Sequence, residues 1–334
     1  MTAVLKRDRE KVRWGIFSTG RITHRFVQDF AFVPNGEVVA VASRSQESAD
    51  AFAARYGIAR AYEGYPRLLD DPQVDAVYVA TPHTMHFRNT ADAIQAGKHV
   101  LCEKPFTVGA QESRDLLRLA EQSSVFVMEG MWTWFLPAIR KALEWVRQGR
   151  IGALQHIEAD FGYPLLPYDP VRREYNAELA GGCLLDMGIY PVALALLFTG
   201  RDPGEIQVVA RKARNGVEDD LVMLFDYSEG EPAHTASLAT SFRCRLPNWA
   251  HIIGEEGYIA IPDFWRASEC RLYQLDECID SFCDGRTSLG FNYETEAASR
   301  DMLRGLQQNS IIPWSVTVRI QEHMDRVRKL YSEK

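Results

Sequence analysis

The chain has 334 residues, 46% hydrophobic and 25% charged, with 38 basic side chains against 45 acidic ones and a net charge of −7. That length exceeds one ordinary core and points to two domains, and the composition is that of a folded globular protein. The basic residues are scattered, which argues against a nucleic-acid partner. No apolar run approaches the roughly 20 residues of a membrane span. Six cysteines without a CxxC pair or zinc spacing argue against a bound metal.

Residues 1–11 are polar and lack the apolar stretch of a signal peptide, so they read as a tail on a cytoplasmic protein. Strands are then expected at 12–18, 37–43, 75–80, 99–102 and 125–128. Helices are expected at 20–33, 46–56, 84–96 and 110–122, with Gly57 and Gly97 closing two of them. Alternating strands and helices, with continuously apolar strands, imply a doubly wound parallel α/β (Rossmann) sheet covered on both faces.

After a helix at 137–148 the pattern changes. Strands are expected at 154–162, 205–213, 219–227, 234–242, 249–254 and 257–261, with helices at 184–199, 293–308 and 315–331. Apolar and polar residues alternate along the strands. This implies an α+β domain with an open, mostly antiparallel sheet, one face solvated or covered by a partner. The expected division is therefore a dinucleotide-binding domain over 12–135 and a substrate-binding and dimerisation domain over 136–334. The last helix is free to pack back on the first domain.

The first strand–helix turn reads Ser18-Thr19-Gly20-Arg21-Ile22-Thr23. A dinucleotide fingerprint wants glycine at the positions held here by Ser18, Gly20 and Thr23, and only the central one is present. That glycine would admit a pyrophosphate at the helix N-terminus, although an ordinary strand–helix turn accounts for it equally. After the second strand come Ser43-Arg44-Ser45, where an NAD enzyme would carry an acid for the ribose hydroxyl. Arg44 suits the 2′-phosphate of NADP instead, with Ser43 adding a hydroxyl. NADP is thus the expected cofactor and NAD remains open.

Lys104 of Glu103-Lys104-Pro105 ends the fourth strand, at the edge where α/β sheets bind ligands. Downstream, GGCLLDMGIY puts Asp186 and Tyr190 one helical turn apart, behind two glycines that would let a ligand approach closely. Phe161, Tyr163, Trp249 and Phe264 suit either a pocket that stacks rings or plain core packing. His156 and His234 sit in strand patterns and read as structural.

Taken together, Gly20-Arg21-Ile22, AVYVATPHTMHFRNTADAIQAGKHVLCEKP and GGCLLDMGIY resemble the glucose-fructose oxidoreductase/inositol dehydrogenase (Gfo/Idh/MocA) family over about residues 12–330. Within it, the chain is most similar to the dimeric dihydrodiol dehydrogenase and NADP-dependent D-xylose dehydrogenase branch. The resemblance implies a catalytic set of Lys104, Asp186 and Tyr190; ring stacking makes Phe161 and Tyr163 the candidates beside the substrate. It also implies cofactor contacts from Gly20, Arg21, Arg44, Thr81, His83, His86 and Glu103. Ser18, Ile22, Ser43, Lys104 and Trp132 complete the candidates around the cofactor. Related chains carry W-x-R-F-x-P where this one has Trp132-Thr133-Trp134-Phe135-Leu136-Pro137, so Trp134 replaces an arginine.

The expected chemistry is hydride transfer between nicotinamide and a sugar, polyol or cyclic vicinal diol. Tyr190 moves the proton, Lys104 favours its phenolate, and Asp186 orients the pair or the substrate. A reductase of a keto-sugar or activated sugar is the alternative enzyme, and a catalytically silent dinucleotide sensor the alternative of another class. The resemblance further implies a homodimer or higher oligomer formed through the C-terminal sheet.

Overall fold

Residues 10–332 are described in a computed structural model; most of the 1–11 tail lies outside them. Among the described residues the first unit comprises the chain up to Trp132 together with Thr287–Val318. The second comprises Thr133–Arg286 and the chain from Arg319 onward. The sequence alone suggests a continuous second domain over 136–334. In the structure, 287–318 instead packs within the first unit, because the Asp29 carboxylate accepts the backbone N–H groups of Leu289, Gly290 and Phe291, each at 2.8 Å.

Strands and helices alternate through the first unit: β1 (Val12–Phe17), α1 (Arg21–Gln28), β2 (Gly36–Ser43), α2 (Gln46–Tyr56), β3 (Arg60–Glu63), α3 (Tyr65–Leu69), β4 (Ala76–Val79), α4 (His83–Gln95), β5 (His99–Glu103), α5 (Ala110–Ser123) and β6 (Val127–Gly130). The strand order is β3-β2-β1-β4-β5-β6, and every pair is parallel. Every residue of β4, β5 and β6 is buried, which is why apolar residues run without alternation through β4 and through 100–102 of β5. Phe17, Val77, Val79, Val100 and Leu116 share one core. Chain order reverses between β1 and β4, so the crevice for ligands opens beyond Phe17 and Val79.

The second unit begins with α6 (Pro137–Arg147) and β7 (Leu154–Gly162). A π-turn (Leu184–Gly188) leads into α7 (Ile189–Thr199). The strands β8 (Glu205–Lys212), β9 (Glu218–Asp226), β10 (Thr235–Ser241), β11 (Trp249–Gly254), β12 (Tyr258–Pro262), β13 (Glu269–Gln274) and β14 (Glu277–Cys283) follow. They form an eight-stranded sheet, β14-β13-β12-β11-β7-β10-β9-β8, antiparallel except between β7 and β10. Leu221, Met223 and Phe225 of β9 face inward while Val222 and Leu224 face out. Two helices close the chain, α8 (Phe291–Leu303) in the first unit and α9 (Trp314–Ser332), divided between the units after Val318.

The strands β3, β13 and β14 were not expected from the sequence. Each lies at or next to a sheet edge and carries polar residues that an apolar pattern does not flag. One expectation on membranes also needs correction. The helical run Ala177–Thr199 is long and apolar enough, by composition alone, to span a bilayer. Within it, 83% of the most apolar 18-residue window is buried, and α7 packs against β7 and β10 and so is apolar on all sides.

Candidate active site

In the first unit, the candidates gather at the carboxyl ends of β1, β2, β4 and β5. Ser18 follows β1 with φ +85°, a conformation glycine usually supplies, and its Oγ accepts the Gly20 N–H at 3.2 Å. Thr23 stands where a third glycine would be. It is fully buried, and its hydroxyl donates to the Gly20 carbonyl, so it tightens the turn by a bond that glycine could not make. A Cβ placed on Gly20 would meet Ser18 Oγ at 3.4 Å and nothing else within 4 Å, so the space in front of the turn is open. Residues Arg21 and Ile22 then start α1, which has no side-chain cap and no acidic residue in its first turn. That leaves its positive end directed at whatever binds there.

Beyond β2, Thr19 Oγ1 and Ser43 Oγ lie 3.3 Å apart. Arg44 is exposed and near enough to Tyr65 for its charge to oppose the burial that raises that phenol's pKa. Ser45 is occupied as the cap of α2, accepting from the Ser48 N–H. An open glycine turn, an uncapped helix start, two hydroxyls and one exposed guanidinium fit a dinucleotide with a 2′-phosphate.

Thr81, His83 and His86 open α4. Thr81 Oγ1 accepts from Asn89 at 2.9 Å. The buried His86 ring reaches two carbonyls at 2.8 Å, Thr81 O through Nε2 and Pro105 O through Nδ1. It therefore ties the loop after β4 to the loop that carries Lys104. Glu103 is buried and accepts from the Tyr78 hydroxyl, while Tyr78 stacks on Phe26 with centroids 3.5 Å apart. Burial raises the Glu103 pKa, against the Tyr78 hydrogen bond and the Lys104 charge. Trp132 stacks on Phe291 at 4.4 Å, which holds its ring at the start of α8.

Glu294, one turn into α8, is fully buried, and neither carboxyl oxygen has a hydrogen-bond partner. Burial first, and then the charge of Glu103, push its pKa well above the carboxylate range. The sequence shows no sign of this, because a glutamate in a helix ordinarily faces solvent.

In the second unit, Asp186 lies within the π-turn and Tyr190 four residues on, across the junction with α7. Such π-turns recur at functional sites. Arg173 donates to Asp186 Oδ1 at 2.7 Å, and its own pKa is raised by Asp186 and Glu174 against the cost of burial. Tyr190 is buried among aromatics, with Phe161 edge-on at 5.4 Å and Trp265 at 6.2 Å. Phe161 stacks on Trp265 at 4.8 Å, and Tyr163 meets Phe161 at 5.8 Å. Thr133 Oγ1 donates to the Trp265 carbonyl at 2.7 Å, anchoring that indole. Trp134, in place of the family arginine, is buried with its Nε1 lacking a partner.

The paired glycines have a different role from the one expected. A Cβ on Gly181 would lie 2.8 Å from backbone atoms of Glu174 and Asn176, and one on Gly182 would lie 2.1 Å from Glu218 Oε1. Gly182 also has φ +129°. The protein itself fills the space beside both, so they are small to close this turn rather than to admit a ligand. Phe264 is fully buried and belongs to the core; Trp249 stacks on His251 at 5.8 Å. His234 stacks on Tyr227 and His156 bonds Thr235 Oγ1 at 2.7 Å, both within the sheet framework. Arg173 and Trp265 carry no signal in the sequence, since neither lies in a motif or at a periodic position.

Residues 12–131 match an oxidoreductase family model with an NAD-binding Rossmann fold, and residues 139–260 match the GFO/IDH/MocA C-terminal domain. The chain is 34% identical over 328 residues to trans-1,2-dihydrobenzene-1,2-diol dehydrogenase from Danio rerio, covering 95% of this chain and 96% of that one. The Homo sapiens protein of the same name is 33% identical over the same shares. Among solved structures, the 3-ketoreductase KijD10 from Actinomadura kijaniata, in complex with NADP and TDP-benzene, matches with a TM-score of 0.84 at 28% identity. That match covers 96% of this chain and 97% of that one. KijD10 has also been solved with a lysine replaced by glutamate or alanine, and with a tyrosine replaced by phenylalanine.

Proposed function

We propose, from the premise that this chain belongs to the GFO/IDH/MocA oxidoreductase family, that it oxidises a secondary alcohol of a sugar, polyol or cyclic vicinal diol with NADP+. It is an NAD(P)-dependent oxidoreductase. The observation that carries the substrate reading is the aromatic enclosure of Tyr190 by Phe161 and Trp265, one turn from the Asp186–Arg173 pair. Flat aromatic faces suit a ring, and a carboxylate beside a guanidinium suits its hydroxyls.

The residues divide the work as follows. Gly20, Arg21 and Ile22 receive the pyrophosphate, and Ser43 with Arg44 the adenosine 2′-phosphate. Bound NADP supplies the hydride donor or acceptor at its nicotinamide. Tyr190 carries the proton, taking it from the alcohol during oxidation and returning it during reduction. A free phenol has a pKa of about 10, and a cation favours its ionised form; Lys104 is the cation of the set. Asp186, ion-paired to Arg173, orients the hydroxyl that reacts. Thr81, His86 and Glu103 hold the loop that bears Lys104, and His83 and Trp132 flank the cofactor.

The likeness to KijD10 favours one second reading, reduction of a keto-sugar as the working direction. Retention of Lys104, Asp186 and Tyr190 together argues against a silent sensor, which would need only the cofactor turn. A substrate panel assayed with NADP+ and NAD+ tests the assignment. Turnover of a sugar or diol with NADP+ is expected; cofactor binding without hydride transfer to any of them would favour the sensor.

We also propose a homodimer through the outer face of the eight-stranded sheet. Val209, Val222 and Leu224 are exposed side by side there, with Val209 opposite Val222 in the β8–β9 register. Light scattering tests this, and a monomer at micromolar concentration would refute it. Six cysteines without a disulfide fit a reducing compartment, which supports a cytoplasmic location; a sugar or polyol substrate would place the enzyme in carbohydrate metabolism.

A further inference from the structure

The face of α6 beside strand β14 holds a groove of about 540 Å3, lined by Pro137, Arg140, Lys141, Glu144, Arg147, Gln148 and Phe282. Three cations meet one carboxylate there, in a chain whose net charge is −7. The carboxylate is already engaged. Glu144 pairs with Lys141 at 3.3 Å and accepts from Gln148 at 2.8 Å.

Arg140 and Arg147 are left over. Seven residues apart, they stand two turns along one side of the helix, with Cα atoms about 10 Å apart. Neither has an acidic partner among the described residues. Arg147 lies in the last turn, where the helix dipole welcomes a cation, so helix stability alone accounts for it. Arg140 has no such excuse. It lies in the first turn, where the dipole opposes a cation, and it is partly buried. Burial and the neighbouring Arg147 charge both lower its pKa, so the groove holds a guanidinium in a place that penalises it. An anion between them would give Arg140 the partner that offsets its burial and would screen the repulsion between the two arginines.

We propose that this groove is a binding site for a small polyphosphorylated anion of the pyrophosphate type, with Arg140 and Arg147 as its two ligating forks. Pro137 and Phe282 form apolar walls, and Lys141 adds a third cation that can leave Glu144 for the ligand.

Calorimetric titration of the full chain with inorganic pyrophosphate tests the site, with NADP+ kept saturating so that the dinucleotide turn is occupied. Saturable binding is expected, weakened at least about tenfold by Arg140→Gln with Arg147→Gln and unaffected by Arg211→Gln on the exposed edge strand β8. Unchanged NADP+ binding by the double variant shows that it is folded; if it is not, Arg140→Gln alone serves the same comparison. Absence of saturable heat, or equal affinity in the arginine variants, overturns the proposal.

Discussion

Arg173 donates to Asp186 Oδ1 across 2.7 Å, joining the short 3-10 turn Arg173–Tyr175 to the π-turn that precedes Tyr190. The pair is half-shielded from water, so its geometry is worth more than that of a surface ion pair. Arg173→Met should lower kcat/KM on the order of 100-fold, because a misplaced Asp186 no longer orients the reacting hydroxyl. Arg173→Lys should recover only part of that loss, since an ammonium lacks the planar fork. Steady-state kinetics with kcat and KM separated check both. Equal activity of Arg173→Met and wild type would remove Arg173 from the site.

The cofactor choice rests on Arg44. Arg44→Asp should weaken NADP+ by about 10- to 100-fold, the loss of one or two charge-assisted hydrogen bonds, and improve the ratio in favour of NAD+. The ratio of kcat/KM for the two cofactors measures this directly.

Glu294 makes stability depend on pH. Its folded pKa is raised above the unfolded value near 4.5, so the folded state holds a proton that the unfolded state has released. Stability therefore falls as pH rises past that value. Glu294→Gln removes the ionisation and should raise Tm at about pH 8, with a smaller gain at about pH 5. Thermal melts across that range would show the two curves converging toward acid.

His99 has the opposite sign. Its Nδ1 accepts the Phe126 N–H at 2.9 Å, and burial lowers its pKa to about 4 from 6.5. Below pH 6.5 the unfolded chain takes up a proton that the folded one refuses, so stability is lost as pH falls from 6.5 toward 4. His99→Asn keeps an acceptor for Phe126 and should flatten that acid limb in the same melts.

Much of this was legible in the sequence, for physical reasons that also mark where legibility ends. The strands β1, β2, β4, β5 and β6 are apolar because the sheet is covered on both faces, and their order places Gly20, Arg44, Thr81 and Lys104 at the ligand edge. The edge strands β3 and β14 face solvent and carry no such signal. A π-turn differs from an α-turn by one residue per loop, which no periodicity reveals, so Asp186 and Tyr190 were visible as residues but their junction was not. Ion pairing over 13 positions, as between Arg173 and Asp186, leaves no pattern either. The return of 287–318 to the first unit depends on Asp29 gathering three N–H groups, a contact about 260 residues away in sequence.

The most direct test is single-turnover and steady-state oxidation of the best sugar or diol substrate by Tyr190→Phe and Lys104→Met, alongside NADPH binding by fluorescence. We expect Tyr190→Phe to bind NADPH as the wild type does, and both variants, at saturating cofactor, to lose on the order of 100-fold or more in kcat, the scale of a lost proton-transfer group. Near wild-type turnover in both variants would contradict the assignment of Tyr190 and Lys104 to the chemistry.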